Sequence, residues 1–317
     1  MIEYTIRRLL WFIPIIFIVV TALFLILQVV PGDPIRAAFG SEIPLSPERL
    51  AAMRAELGLD KPVWLRYLDW LWNLLHFNLG ISFFSGATVV EQLVVRIPMT
   101  TGLILLSMVF MIVLSIPCGI LSGYYHDKWP DWITRFITIL FISLPHFWVA
   151  VMVVLILLTV WGWFPPIKYA TLFSDPLTAI QQIALPAFIM ALRPFGIATR
   201  LIRSSMVEVF EEDFIRTARA KGLTEKLMTF RHALPNSLIP VTTFYGLEFI
   251  VMVGAVVVME DIFSIPGVGS LIVQAANNRD LYVLQGCVLL LLFFALFVNL
   301  GIDLLYARLD PRIRLAK

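Results

Sequence analysis

The sequence predicts an all-α integral membrane protein that spans the bilayer six times. Of its 317 residues, 60% are hydrophobic and only 15% are charged, whereas soluble domains carry about 25% charged residues. A spanning helix needs about 20 consecutive, mostly apolar residues. Six segments meet this requirement, at about residues 9–30, 98–123, 134–160, 182–202, 236–259 and 283–306.

The first apolar segment follows Arg7 and Arg8, as the core of a secretory signal would. Its apolar run of about 22 residues is longer than the roughly 7–15 residues of a signal core. Pro31-Gly-Asp-Pro34 then follows in place of a cleavage site made of small residues. We therefore interpret this segment as a retained first span.

The basic residues of the short loops predict the orientation of the chain. With the N-terminus inside, the outside loops carry only Lys168 and Arg279, apart from the long loop 31–97, whose charges have little influence. The inside residues are then Arg7, Arg8, Lys128, Arg135, Arg200, Arg203, Arg216, Arg219, Lys221, Lys226, Arg231, Arg308, Arg312, Arg314 and Lys317. Both termini are expected in the cytoplasm.

Three regions follow from this topology. Residues 1–30 form an N-terminal tail and the first span, and residues 31–97 form an outside loop with short helices at about 46–57 and 62–77. Residues 98–317 form a core of five spans, which contains a cytoplasmic loop at 203–235.

The cytoplasmic loop contains the longest charged stretch of the chain. Glu211, Glu212 and Asp213 favour a helix N-terminus, because carboxylates complement the positive end of the helix dipole. Gly222 is predicted to end that helix in a left-handed conformation. A second short helix is expected from about Thr224 to Ala233.

The first of these helices is predicted to present a small apolar face within a charged rim. Phe214, Ile215 and Ala218 form the predicted face, with Arg219 and Lys221 at its rim. Such a face would suit a partner protein outside the bilayer. An ordinary solvated loop helix explains the same pattern equally well.

Two charged residues fall at mid-depth of predicted spans, namely Arg193 in the fourth and Glu248 in the fifth. A charge there costs roughly 2.5–3.5 kcal/mol on insertion scales unless it is paired or hydrated. We predict that Glu248 lines a path for solute, with Arg193 as the weaker candidate. An ion pair between neighbouring helices is the alternative.

The residues offer little support for an enzyme, a metal site or a nucleic-acid-binding protein. No nucleotide-binding GxxxxGK motif is present, and no nucleophile–base set stands out. The four histidines are scattered, and the two cysteines lie in apolar segments without ligand spacing. The net charge of +2 gives no case for nucleic acid. No catalytic residue, cofactor or metal is predicted for this chain.

The cytoplasmic loop resembles that of ABC-type importer permeases, whose pattern is E-A-A, three residues, G, nine residues, I, one residue and L-P. The matching residues are Ala218, Gly222, Leu234 and Pro235; those that depart are Arg216, Thr217 and His232. The fuller string from Phe214 to Leu223 resembles the peptide and nickel branch of these permeases. Further strings that look like the B-type subunit of dipeptide, oligopeptide and nickel importers are Pro31–Pro34, Leu57–Pro62, Gly80–Ser82, Glu260–Gly269 and Leu309–Arg314.

This resemblance implies the six-span transmembrane domain of a type I ABC importer in the inner (cytoplasmic) membrane. The implied partners are a second homologous permease, two ATPase subunits that bind ATP and Mg, an outside solute-binding protein and membrane lipid. The loop would supply a coupling helix that sits in a groove of the ATPase. Its implied coupling residues are Glu211, Asp213, Phe214, Ile215, Ala218, Arg219, Lys221 and Gly222.

The substrate and two alternative classes of function stay open at this stage. Relatives in the family carry di- and oligopeptides, nickel, glutathione or oligosaccharides, and peptide is the first expectation because it is the commonest. A different class would be a secondary transporter or channel that needs no ATPase and uses Arg193 and Glu248. A structural or assembly factor in the membrane is a third.

Overall fold

The computed structural model describes residues 2–29, 48, 51, 54, 60–82, 84–166, 169–171 and 173–309. These residues form helices and connecting turns, with one isolated antiparallel bridge between Ile81 and Thr88. The helices are α1 (Ile2–Val29), α2 (Val63–Leu75), α3 (Val89–Tyr124), α4 (Trp129–Ser143), α5 (His146–Trp161), α6 (Pro176–Glu211), α7 (Asp213–Ala220), α8 (Glu225–Leu227), a π-helix (Met228–Ala233), α9 (Leu234–Ile262), α10 (Val268–Asn277) and α11 (Leu281–Leu309).

Five of the six predicted spans are confirmed as helices that are long and apolar enough to cross a membrane. They lie in α1, α3, α6, the stretch from α8 to α9, and α11. Helix α6 has 36 residues and is much longer than the predicted segment 182–202. The chain is therefore a multi-pass membrane protein.

The third predicted span, 134–160, is not one continuous helix. Helices α4 and α5 meet at an angle of 93° and together make up the sixth candidate span. The break lies at Leu144 and Pro145, where Leu144 has the extended conformation φ −93°, ψ 126°. Proline has no N–H to donate and disfavours the helical conformation in the residue before it. Three other prolines of the spans, Pro117, Pro186 and Pro194, lie inside helices.

The described residues form two compact units. The first contains residues up to 98 together with 266–300. Its apolar core joins the start of α3 to α10 and α11 and consists of Val89, Leu93, Val268, Leu271, Ala275, Val283 and Cys287. The buried Asp280 carboxylate accepts a 2.5 Å hydrogen bond from the Ser82 hydroxyl and caps α11 at the backbone N–H of Val283.

Helix α2 confirms the second short helix predicted in the outside loop. It packs on α1 in the first unit, where the Tyr67 and Thr21 hydroxyls lie 2.6 Å apart and the Phe24 ring contacts Tyr67 and Trp70. The helix predicted at 46–57 falls largely outside the described residues, as do the strings Pro31–Pro34 and 310–314.

The second unit contains residues 99–265 and 301–309, and its centre is helix α6. Helices α4 and α9 pack closely on α6. Gly196 permits this approach, since a Cβ atom there would lie 2.8 Å from the Thr138 carbonyl oxygen and 2.9 Å from Ile142 Cγ1. Small residues of this kind allow spanning helices to come near each other.

We expect Gly196→Ala to lower the stability of the protein, because the new methyl group would push α4 away from α6. Overpacking of this kind costs about 1–3 kcal/mol, and thermal unfolding in detergent measures it. Gly254→Ala in α9 is the matched control, since a Cβ there meets no atom within 4 Å. Equal melting temperatures for the two variants would contradict the close packing.

Candidate functional site

The segment that was predicted to lie in the cytoplasm begins where α6 ends. Glu211 is the last residue of α6, and Glu212 then turns the chain with φ −67° and ψ 146°. Helix α7 therefore begins at Asp213, and the expectation that Glu211 opens it is wrong. The Asp213 carboxylate lies in the first turn, 3.4 Å from the Arg216 guanidinium, and both side chains are exposed.

Gly222 ends α7 as predicted. Its φ of +79° lies in the left-handed region that glycine adopts without strain. The Gly222 N–H donates to the Arg219 carbonyl at 3.0 Å, and the Leu223 N–H reaches back to the Ala218 carbonyl at 3.3 Å. These bonds satisfy carbonyl groups that the helix end would leave without partners.

The second short helix predicted here is not a separate element. Thr224 accepts a hydrogen bond from the Leu227 N–H and begins α8, but the chain then stays helical through the π-helix into α9. The π-helix directly precedes Leu234 and Pro235. Local π geometry is one way in which a spanning segment accommodates a proline that lacks its N–H.

The structure separates the three residues that were predicted to share one apolar face. Ile215 is completely buried in the second unit, and its cluster includes Ile202, Met206, Met228, Ala233 and Val241. Ala218 is partly buried against the same cluster. The Phe214 side chain is 44% exposed. Of the three, Phe214 alone presents a large apolar surface away from the protein's own core.

The predicted rim residues Arg219 and Lys221 are both exposed. The Arg219 guanidinium lies 3.1 Å from the Glu225 carboxylate and so joins α7 to α8 across the Gly222 turn. An exposed pair of this kind contributes little stability. The Arg219–Glu225 pair instead orients the two short helices relative to each other. Lys221 places a further positive charge beside the Gly222 turn.

A buried ion pair that sequence reasoning missed holds three helices together near this segment. The Asp131 carboxylate of α4 is completely buried and accepts hydrogen bonds from Arg203 Nε at 2.6 Å and Nη2 at 2.8 Å. The Ser122 hydroxyl of α3 donates to it at 2.5 Å, and the Asp127 N–H at 3.0 Å. Because all these groups converge on one carboxylate, α3 and α4 are fastened to α6.

The two charged residues predicted at mid-depth occupy different environments. Arg193 is exposed on α6, although its neighbours Leu192 and Pro194 are buried. Glu248 on α9 is only 7% exposed. The described residues contain no direct ion pair between them. Arg193 is therefore the more exposed of the two, and the prediction that Glu248 lines a path for solute, with Arg193 second, stays a prediction.

Comparisons with known proteins agree with this architecture. The family model of the binding-protein-dependent transport system inner membrane component matches residues 115–315. The model of the N-terminal membrane component of the same system matches residues 1–104. Together the two matches extend over almost the whole chain.

Curated relatives match the chain over nearly its full length. A protein of Brucella abortus (strain 2308), provisionally named a peptide transport system permease, is 40% identical over 302 residues, covering 95% of this chain and 96% of its own. The dipeptide transport system permease protein of Escherichia coli K12 is 36% identical, with 99% of each chain covered. The dipeptide permease of Alkalihalophilus pseudofirmus is 33% identical, covering 99% of this chain and 100% of its own.

Proposed function

The chain belongs to the family of binding-protein-dependent transport system inner membrane components, and we propose that it is a permease subunit of an ATP-driven peptide importer. The names of its relatives support peptides over nickel, glutathione or oligosaccharides as the substrate. The observation that carries the proposal is the anchoring of α7, whose buried Ile215 joins it to the core of the spanning helices while Phe214 stays exposed.

The proposed complex contains four kinds of subunit. This permease and a second, homologous one form the path, and two ATPase subunits bind ATP and Mg beneath them. A solute-binding protein delivers the peptide from outside. The chain lies in the inner membrane with both termini in the cytoplasm, and it binds no cofactor and performs no catalysis of its own.

Coupling follows from the way α7 is attached. When ATP closes the ATPase dimer, the groove that holds Phe214 moves, and α7 transmits the motion through Ile215 to α6 and α9. The buried Asp131–Arg203 pair makes α4 follow α6. Such a lever acts only if the ATPase binds one state of the permease better than the other.

The path itself is proposed to pass Arg193. A cation exposed within a spanning helix is stable only where water or an opposite charge meets it. Glu248 is enclosed by the protein in this conformation and would contribute to the path in a more open state.

Purification of the protein from its native membrane tests the proposed complex. We expect it to arrive with a second multi-pass permease and with an ATPase, and to take up peptide into proteoliposomes only when ATP and the solute-binding protein are present. A chain that arrives alone and moves solute without ATP would refute the proposal and favour a secondary transporter.

We expect Phe214→Ala to weaken the binding of the ATPase subunits while leaving the permease stable. Loss of a central aromatic contact commonly costs about 2 kcal/mol or more. Ile215→Ala is the contrasting variant, because truncating this buried side chain should destabilise the permease itself by about 2–5 kcal/mol. Quantitative pull-down and thermal unfolding separate the two effects. Normal ATPase binding by Phe214→Ala would contradict the role of this residue.

Gly222→Val should raise the amount of ATP hydrolysed per peptide transported. A Cβ atom at this position meets no atom within 4 Å, so the effect comes from the backbone and not from a clash. Left-handed geometry costs an ordinary residue about 1–2 kcal/mol, and a β-branched residue is the least suited to it. Gly222→Asn is the control, since asparagine tolerates this conformation. Wild-type coupling in the valine variant would exclude a role for the turn.

Arg193→Gln should reduce peptide transport more than Glu248→Gln, because Arg193 is the exposed partner. Both variants should still assemble with the ATPase and hydrolyse ATP. Initial uptake rates in proteoliposomes provide the comparison. Unchanged uptake by Arg193→Gln would remove this residue from the path, and a larger loss for Glu248→Gln would restore the order expected from the sequence.

A further inference from the structure

A cavity of about 460 Å³ lies between α4 and α6. Three arginines line it, namely Arg135 of α4 with Arg200 and Arg203 of α6. Its apolar wall includes Ile142, Ile197 and Leu201. The cavity is separate from α7 and does not include Arg193 or Glu248.

The lining of the cavity carries a net positive charge, because only one of its three arginines is closely paired with a carboxylate. Arg203 is neutralised by the buried Asp131 carboxylate. Arg135 stacks on the Trp132 ring at 4.7 Å, and among the described residues its ion-pair partner is the exposed Asp127, at a long distance of 4.0 Å. Within the described part of the chain, no hydrogen bond or ion pair is formed by the Arg200 side chain. The site can therefore neutralise the charge of one bound anion.

Polarity changes along the cavity in one direction. Arg135 lies in the middle of α4, and Ile142 lies about two helical turns further along the helix. On α6, which runs the opposite way past α4, Arg203 lies toward the end of the helix and Ile197 lies deeper. Charge at one end and aliphatic groups at the other suit an amphiphile whose anionic head faces the cytoplasmic side.

The exposed face of α4 shows what surrounds this cavity. Trp129 and Trp132 are exposed at the first turns of the helix, where aromatic rings mark the boundary between membrane and water. The exposed residues that follow, up to Leu140, are all apolar and include Ile133, Phe136 and Leu140. A face of this composition suits lipid tails, and Arg135 lies one helical turn beyond Trp132, from where its long side chain can reach headgroup depth.

We propose that this cavity binds an anionic phospholipid of the inner leaflet. The phosphate would accept hydrogen bonds from Arg135 and Arg200, and an acyl chain would lie along Ile142 and Ile197. Basic pockets between spanning helices on the cytoplasmic side recognise lipid headgroups in this way, and guanidinium groups suit phosphate oxygens. The inference rests on the proposed orientation and is independent of the transported substrate.

Native mass spectrometry of the full-length protein, with the subunits that co-purify, tests the site. Phosphatidylglycerol and phosphatidylcholine with identical acyl chains are compared as probes, with inorganic phosphate as a third. We expect phosphatidylglycerol to bind about tenfold more tightly than phosphatidylcholine and to resist displacement by phosphate. The double variant Arg135→Gln/Arg200→Gln should lose this preference, whereas Arg231→Gln, which removes an exposed cytoplasmic charge elsewhere, should retain it.

Several results would overturn the assignment. Equal binding of the two lipids, or an unchanged preference in the double variant, would show that the arginines do not select the headgroup. Displacement by inorganic phosphate would indicate a site for a free anion, and displacement by a dipeptide would place the cavity on the transport path. Arg203 is left intact because breaking its buried pair would destabilise the fold. Matching melting temperatures of the double variant and the wild type confirm that folding is retained.

Discussion

The burial of Ile215 is the contact on which the proposed mechanism depends. Helix α7 has only eight residues and lies outside the spanning helices, and so short a helix has little stability in isolation. It is held because Ile215 enters the same apolar cluster as Ile202 and Met206 of α6 and Val241 of α9. The Gly222 turn and the Arg219–Glu225 pair then set the direction in which the chain continues. A force applied to α7 therefore reaches the spans through packed side chains.

Three charged residues of the second unit, Asp131, Arg203 and Arg193, are compatible with this rigid packing because each is either paired with an opposite charge or exposed. Asp131 is completely buried, Arg203 is largely buried, and two hydrogen bonds join them, so removing the arginine would leave the Asp131 charge buried without compensation. Arg193 instead remains exposed on a helix that is otherwise well buried. The Asp131–Arg203 pair fastens helices to one another. Arg193 can instead interact with a group that approaches α6 from outside this chain.

Features that depend on local chemistry were predictable from the sequence, and features that depend on neighbouring elements were not. Five spans and the Gly222 turn follow from apolar length and from glycine's conformational freedom. The break at Pro145 did not follow, because Pro186 and Pro194 have the same chemistry yet remain helical within the closely packed α6. The spacing of Phe214 and Ile215 could not indicate which one faces the core. The Asp131–Arg203 pair joins residues 72 positions apart, a separation that carries no local signal.

A distance measurement across the second unit shows whether α7 and the spanning helices move as one body. Spin labels at Thr217 on α7 and Thr243 on α9, both exposed, report whether the two helices move together in the assembled importer. Pulsed electron paramagnetic resonance would compare the nucleotide-free state with an ATP-trapped state, with the same labels in the Ile215→Ala variant as the control. We expect the distance between the two labels to be the same in both states of the wild type. In the Ile215→Ala variant we expect a broader distribution of this distance. A shift of several ångströms on ATP binding in the wild type would contradict this expectation, because α7 would then move independently of the spans.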